Sequence, residues 1–210
     1  MTVECDAAAP STVLTKDMAD GQTHRVNAGF GLQLDRLTLE RARRGDRLAY
    51  AAIYERFGSA CYNLALRVLG EPAAAEDIVQ DVFLKLFDSL RGFRGDAPFG
   101  AWLKRMTANA TIDTLRAQQR FRDDDPESLF ESMPAPAADA EHRVDAWSLL
   151  MRLPPRARAI VILHEVEGYT HKELAQLFGQ TESYSKSILA RALKRLNEGA
   201  PPSNEVQGDA

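Results

Sequence analysis

The sequence predicts an all-α protein of two small helical domains joined by a flexible linker, with a helix-turn-helix in the second domain. Apolar residues recur every three or four positions from Leu34 onward, with almost no alternation of the kind that strands show. A polar, proline-broken stretch over 123–142 interrupts this pattern. Further along, the cap at Thr170, the stop at Gly179 and a new helix soon afterwards have the spacing of a helix-turn-helix.

Length and composition exclude several classes of protein. A chain of 210 residues is long enough for two small helical domains that each bury a core. Without a CxxC motif or a histidine cluster, Cys5 and Cys61 indicate neither a disulfide framework nor a zinc site. No apolar run is long enough to cross a bilayer, and the first thirty residues do not have the pattern of a secretory signal. We therefore expect a cytoplasmic protein without membrane insertion, metal or cofactor.

The charge balance argues against non-specific binding to nucleic acid. The formal net charge is −4, whereas indiscriminate attraction to phosphates requires an excess of Lys and Arg. Any contact with DNA must therefore come from local basic patches. We expect a partner protein to supply part of the affinity.

Composition divides the chain into five segments. Residues 1–33 have no sustained period, which predicts a disordered tail. The first domain covers 34–122, the flexible linker 123–142 and the helix-turn-helix domain 143–197. The remaining residues, 198–210, form a C-terminal tail that we expect to be loose.

Local signals place the helices of the first domain. Asp46 is expected to cap the second helix, which Gly70 ends. Pro72 stands in the first turn of a third helix, where its missing N–H costs nothing. A glycine-rich loop over 91–100 then precedes a fourth helix that reaches about Arg120.

The third helix is predicted to be apolar on one side and acidic on the other. Helical geometry places the following residues on the acidic side: Asp77, Gln80, Asp81, Leu84 and Asp88. A solvated charged face is one interpretation of such a stripe. Leu84 favours a different interpretation, because an apolar side chain ringed by carboxylates is typical of a partner-binding surface. The partner surface should be basic.

The fourth helix carries a basic edge. Its inward stripe is predicted to contain Phe99, Trp102, Leu103, Met106 and Ala110. The neighbouring outward stripe contains Arg105, Asn109, Arg116 and Arg120. Arginines along one face can follow a phosphate backbone, and Asn between them can hydrogen-bond a base edge. Ordinary surface charge is the alternative.

The loop before this helix supports the interpretation of the basic edge as a DNA-binding surface. Gly92, Gly95 and Gly100 permit close backbone approach. Phe93 or Phe99 could wall a pocket for a base pulled from the stack, although core packing is the favoured role for Phe99 and Trp102.

The last helix is interpreted as the recognition helix of the helix-turn-helix. Its inward residues are predicted to be Leu189, Ala192, Leu193 and Leu196. The residues left outside, where a major groove could receive them, are Tyr184, Lys186, Ser187, Arg191 and Lys194. A plain three-helix core shares this pattern and stays open as an alternative.

From about Leu34 to Leu196 the chain resembles the extracytoplasmic-function (ECF) sigma factors of bacterial RNA polymerase. The segment AEDIVQDVF over 75–83 resembles the helix that grips the coiled-coil clamp of the largest polymerase subunit. Residues 93–102 and 109–116 are similar to the loop and helix that melt and read the minus-ten promoter element. The stretch from Leu153 through the last helix resembles the domain that reads the minus-thirty-five element.

The resemblance supports some of the candidate DNA-binding residues and not others. Asn109, Asp113 and Arg116 match the family directly, and Lys186 and Ser187 match positions that commonly face DNA. In contrast, the proposed DNA contacts of Tyr184 and Arg191 depend on helical geometry alone.

The last helix also departs from the family. The family often has a Gly-Thr-Val start and more arginines, whereas this chain has Ser-Tyr-Ser over 183–185, Ile188 and Leu193. The promoter sequence therefore does not carry over.

The partners implied by the resemblance are core RNA polymerase, promoter DNA and an anti-sigma protein. A stand-alone DNA-binding regulator with dimerising N-terminal helices is the main competing hypothesis, and the acidic helix argues against it. A helical hydrolase or nuclease is the other. No paired carboxylates or nucleophile–base spacing supports it, so we predict no catalytic residues and no enzyme activity. His164 and His171 are expected at the surface or in the capping region, and not as metal ligands.

Overall fold

The computed structural model describes residues 29–118 and 146–198, and its regular elements there are helical. The first group of helices comprises α1 (Arg36–Arg43), α2 (Arg47–Leu69), α3 (Pro72–Ser89) and α4 (Phe99–Gln118), with a 3-10 turn at Leu90–Gly92. The second comprises α5 (Ala146–Arg152), α6 (Pro155–Val161), α7 (His171–Phe178) and α8 (Glu182–Glu198), and a π-helical turn at Ile162–Val166 extends α6. The all-α prediction is confirmed. The predicted linker and the C-terminal tail beyond residue 198 lie outside the described residues.

Short polar side chains begin the helices where the sequence predicts. The Asp46 carboxylate accepts hydrogen bonds from the backbone N–H groups of Leu48, at 2.9 Å, and Ala49, at 3.2 Å. Gly70 ends α2 in the left-handed conformation, with φ of 79°, which glycine adopts without steric strain. Both boundary predictions are confirmed.

The first group packs around the long helix α2. Ile53, Phe57 and Cys61 on α2 are fully buried against α3 and α4. The Thr107 hydroxyl of α4 lies in this core and donates to the Leu103 carbonyl at 2.9 Å, so its polar atom is satisfied by its own helix.

The two groups of helices share a second hydrophobic cluster. Val68 of α2 and Ile112 of α4 belong to the same buried cluster as Ile160 of α6, Leu174 of α7 and Ile188 of α8. The helix-turn-helix group therefore packs directly on the end of α2 and the middle of α4. The division of the chain into two domains stays a prediction.

Arg158 of α6 joins the groups through polar contacts. Its side chain is 3% exposed, and its Nε and Nη2 donate to the carbonyls of Val68 and Leu69, each at 2.9 Å. These carbonyls belong to the last turn of α2, where unpaired acceptors and the negative end of the helix dipole favour a cation. Burial lowers the pKa of Arg158, but a guanidinium keeps its charge in proteins.

One expectation about the predicted N-terminal tail and one about α8 are wrong. Residues 29–33 are not part of a disordered tail, because Phe30 and Leu32 pack against the hydrophobic core. The rest of that predicted tail, 1–28, lies outside the described residues. Leu193 does not face inward and is 36% exposed. The inward stripe of α8 is centred on Ser185, Ile188 and Ala192, and a 100° step per residue places Leu193 at its margin.

Candidate functional site

The acidic edge of α3 is exposed. Asp77, Gln80, Asp81 and Asp88 lie in solvent, and Leu84 among them is 70% exposed. The opposite side of the helix is buried by Ile78, Val79, Val82, Phe83 and Leu86. The predicted orientation of α3 is thus confirmed, and an apolar side chain projects from the centre of a negatively charged surface.

Sequence reasoning missed an aromatic extension of this surface. Phe87 is 52% exposed and stands one turn beyond Leu84, with its ring centroid 5.6 Å from that of Tyr50. Tyr54 is also exposed, and its ring packs edge-on against Phe83 at 4.8 Å. The spacing of three residues between Leu84 and Phe87 was the signal that could have found it, since such residues are neighbours on a helix surface. Exposed apolar patches of this kind mark interaction sites.

The basic edge of α4 faces the second group of helices across a cleft of about 340 Å³. Arg105 and Asn109 line the cleft from α4, and Glu167, Tyr169 and Glu173 line its other wall. The structure therefore brings two of the predicted DNA-binding residues together, opposite two carboxylates. Arg120 lies outside the described residues.

Two basic side chains of α4 reach across to the second group. Lys104 Nζ donates to the Glu167 carbonyl at 2.6 Å and lies 3.7 Å from the Glu167 carboxylate. Arg116 Nη2 donates to the backbone carbonyl of Leu177, and its Nη1 donates to Asp113 at 3.2 Å. Both cations are thus paired within the protein.

Tyr169 and Glu173, on the far wall of the cleft, have shifted pKa values. Burial raises the pKa of Tyr169 to about 12, helped by the nearby carboxylates of Glu167 and Glu173. The Glu173 carboxylate accepts from the Thr170 backbone N–H and hydroxyl, each at 2.8 Å, and these bonds lower its pKa. The Thr170 hydroxyl accepts in turn from the Glu173 N–H at 3.2 Å, which confirms the predicted capping box.

The aromatic side chains of the loop are packed inward. Phe93, Phe99 and Trp102 form one cluster, with ring centroids 4.9 Å apart between Phe93 and Trp102 and 5.7 Å apart between Phe93 and Phe99. Phe93 and Phe99 are both buried in the core, and Phe99 also lines a cleft of about 540 Å³ beside residues 30–34. A role of either ring in holding an unstacked base stays a prediction. The exposed part of the loop is 94–98.

The recognition helix presents a different face from the one predicted. Tyr184 is 8% exposed, and its hydroxyl accepts from Arg156 Nη1 at 3.5 Å, so its placement on the outer face is wrong. The first turn of α8 packs against α6, which draws Tyr184 into the shared core. Ser183 is exposed in its place, together with Lys186. Ser187 and Arg191 are half-buried.

The two histidines lie where the π-helical turn meets α7. The rings of His164 and His171 stack with centroids 4.4 Å apart, and His171 Nδ1 is 3.0 Å from the Ser185 hydroxyl. Desolvation lowers the pKa of His171, and the neighbouring His164 and Lys186 add to this effect. Across 29–118 and 146–198, no three His, Cys, Asp or Glu side chains cluster as metal ligands would. No helix in those ranges has the length and apolarity needed to cross a membrane.

Comparisons with known proteins give matches that cover both groups of helices. Residues 53–121 match the family model of sigma-70 region 2, and residues 143–196 match that of sigma-70 region 4. The chain is 31% identical over 156 residues to the ECF RNA polymerase sigma factor SigM of Mycobacterium tuberculosis, covering 72% of this chain and 77% of that protein. It is 30% identical over 173 residues to the RNA polymerase sigma factor NccH of Alcaligenes xylosoxydans xylosoxydans, covering 78% and 92%.

Among solved structures, the chain is similar to CnrH in its complex with the cytosolic domain of CnrY. The two sequences are 26% identical, the TM-score is 0.47, and the match covers 78% of this chain and 94% of that one.

Proposed function

The chain belongs to the extracytoplasmic-function sigma factors, which confer promoter-specific initiation on core RNA polymerase, and we propose which of its surfaces perform each step. The acidic edge of α3 binds polymerase, the edge of α4 reads and opens the minus-ten element, and α8 reads the minus-thirty-five element. The first group of helices, within 34–122, and the second, within 143–197, act as two reading units whose separation is set by 123–142.

The polymerase-binding surface consists of Asp77, Gln80, Asp81 and Leu84. The observation that carries the proposal is that Leu84 is 70% exposed in the middle of carboxylates. A stripe meant only for solvation would gain nothing from an exposed leucine, whereas a docking surface buries it at the centre and uses the surrounding charges for steering. This surface suits a basic coiled coil such as the polymerase clamp.

The proposed DNA contacts divide between the two units. In α4 they are Arg105, Asn109 and Arg116. The fourth predicted contact, Arg120, lies outside the described residues. In α8 they are Lys186, Ser187 and Arg191, now joined by the exposed Ser183. Arginine and lysine hold phosphates, while the amide and hydroxyl groups are suited to base edges.

We further propose a cytoplasmic location and an anti-sigma protein as a second partner. Family membership supports both, because a protein acting with RNA polymerase works where the polymerase is and its ECF relatives imply such an antagonist. In this role the chain is not an enzyme.

Run-off transcription with purified core polymerase tests the function. Promoter DNA from the protein's own targets should give a specific transcript only when the chain is added. The absence of any promoter-specific transcript, together with no binding to core polymerase in a pulldown, would contradict the proposal.

A further inference from the structure

A polar contact joins the two helices of the helix-turn-helix at a buried point. His171 is the first residue of α7, and its Nδ1 atom lies 3.0 Å from the hydroxyl of Ser185, near the start of α8. Ser185 is 2% exposed, so its hydroxyl has to find its hydrogen-bond partner inside the protein. The contact therefore ties the start of the recognition helix to α7.

This contact lies beside the residues that α8 presents to DNA. Ser183 and Lys186 are exposed and stand on either side of Ser185 in the chain, so a shift of Ser185 moves both. Ser185 also ends the Ser-Tyr-Ser stretch in which the chain departs from its family. Because hydrogen bonds to base edges tolerate only small displacements, His171 bears on promoter recognition without touching DNA.

The surroundings of His171 favour its neutral form. Its ring stacks on the ring of His164 in the π-helical turn, with centroids 4.4 Å apart, and Lys186 adds positive charge from α8. The positive end of the α7 dipole lies at the same place. The carboxylates of Glu165 and Glu182 act in the opposite direction. Desolvation, His164 and Lys186 prevail over these carboxylates, and the pKa of His171 is lowered.

Protonation changes what the ring can do in this place. A neutral imidazole nitrogen can accept from the Ser185 hydroxyl, whereas both nitrogens of an imidazolium can only donate. The added charge also stands against the positive groups around it. Acid should therefore weaken the link between α7 and the start of α8.

We propose that His171 is a positioning residue for the recognition helix: its neutral ring holds Ser185, and with it the outward residues of α8, and protonation of the ring releases them. This inference rests on the proposed function, because its consequence is a loss of minus-thirty-five recognition in acid.

The direction of the pH effect follows from the lowered pKa. The folded-state pKa of His171 lies below the ordinary value of 6.5, so the unfolded chain takes up the proton first. The contribution of the neutral ring is therefore present above pH 6.5 and is lost as the pH falls from there through the folded-state pKa.

The link between His171 and α8 is tested first by NMR on the full chain, without polymerase. The signals of the His171 ring and of the Ser185 and Lys186 backbone amides are followed from about pH 8 to about pH 5. In wild type both amides should shift with the midpoint of the ring. Ser185→Ala removes only the hydroxyl, so the shift of the Lys186 amide should fall to less than about half. Amides that do not follow the ring in wild type, or an undiminished shift in Ser185→Ala, would overturn the positioning role.

The effect on promoter recognition is tested with holoenzyme reconstituted from core polymerase. The measured quantity is the affinity for a promoter of the protein's own targets, divided by the affinity for the same fragment with a scrambled minus-thirty-five element. This preference should fall about threefold or more between about pH 7.5 and about pH 5.5, since a coupling of one pKa unit corresponds to a factor of about ten. Circular dichroism at both pH values verifies that helicity is retained.

Two substitutions separate positioning from packing. His171→Asn keeps a hydrogen-bonding group near Nδ1 but does not titrate, so it should keep the neutral-pH preference and lose the pH dependence. His171→Phe keeps a ring against His164 but cannot bond to Ser185, so its preference should be low at both pH values. His24→Asn, the same change at a histidine outside the described residues, is the control and should behave as wild type. An Asn variant that does not exceed the Phe variant at neutral pH, or that keeps the pH dependence of wild type, would overturn the inference.

The two experiments also separate this inference from the proposed function. The NMR titration contains neither polymerase nor DNA, so a failed run-off assay leaves its result intact. A successful run-off assay combined with amides that do not follow the His171 ring would remove the positioning role and leave the proposed function in place.

Discussion

Leu84 and Phe87 stand on successive turns of α3 with more than half of each side chain exposed, at 70% and 52%. Asp81 precedes this pair by one turn and Asp88 directly follows it, so apolar area and negative charge occupy one surface. A basic partner with an apolar groove would use both.

Asp81→Arg should weaken binding to core polymerase by about tenfold or more, because a reversed charge then faces a basic partner surface. The side chain is exposed, so the melting temperature should stay unchanged. Titration of purified core polymerase with labelled protein measures the affinity. Glu165→Arg, the same change on an exposed site of the second group, is the control. Unchanged affinity of the Asp81 variant would remove α3 from the interface.

Phe87→Ser should also weaken polymerase binding, since an aromatic anchor at a docking surface commonly contributes about 1–2 kcal/mol. Its contact with Tyr50 is partial, so folding should survive. The same titration measures the effect, with Leu37→Ser as the control at another exposed apolar site. Equal affinity for the two variants would confine the interface to the acidic residues and Leu84.

Tyr184→Phe and Lys186→Ala should have opposite signatures. Removing the buried Tyr184 hydroxyl loses its bond to Arg156 and lowers thermal stability slightly, while promoter use is retained. Lys186→Ala should leave the melting temperature unchanged and reduce transcription from promoters that depend on the minus-thirty-five element. Melting curves and run-off transcription separate the two effects. A transcription defect confined to Tyr184→Phe would mean that the outer face of α8 has been assigned to the wrong residues.

Cys61 should resist alkylation in the folded protein. Burial raises the pKa of its thiol to about 11, and the side chain is fully buried, so both thiolate and access are lacking at neutral pH. In the Cys5→Ser variant, maleimide labelling followed by mass spectrometry should proceed only as fast as the protein unfolds, and rapidly in urea. Fast labelling without denaturant would show that the α2 core opens locally.

The capping box of α7 should make stability depend on pH. The hydrogen bonds from Thr170 hold the folded-state pKa of Glu173 below its unfolded value of 4.5, so its contribution is present above that pH and lost as pH falls through the folded pKa. The stability difference between wild type and Glu173→Gln should therefore shrink on acidification from pH 7. Urea unfolding at several pH values measures it. A constant difference across the range would contradict this origin.

Removing the Thr170 cap gives an independent measure of how much the capping box contributes to the free energy of unfolding. Thr170→Ala should cost about 1 kcal/mol at neutral pH, because the Glu173 N–H loses its acceptor. Thr181→Ala is the matched comparison at the start of the next helix, α8, where the Thr181 hydroxyl accepts from the Tyr184 N–H at 3.1 Å.

Features set by local chemistry were predictable from the sequence, and features set by distant contacts were not. Asp46, Gly70 and the Thr170 capping box each act within a few residues, so their roles can be inferred from neighbours in the chain. Periodicity placed Leu84 outward correctly. The burial of Tyr184 and of Arg158 depends on helices that meet only after folding.

The N-terminal stretch over 29–34 was missed for the same reason. Its short apolar segment has no helical period, and only the packing of Phe30 against Gly100 and two clusters gives it a fixed place. Glu167 likewise contacts a helix about sixty positions earlier in the chain, through its bond with Lys104.

Ser183, and not the predicted Tyr184, lies on the outer face of α8. The start of that face therefore carries small hydroxyls and Lys186. Near that start, Lys186 is the outward-facing cation placed to displace condensed counterions from the duplex. In the proposed minus-thirty-five complex, Lys186→Ala should therefore lower the salt dependence of promoter binding by about one released counterion.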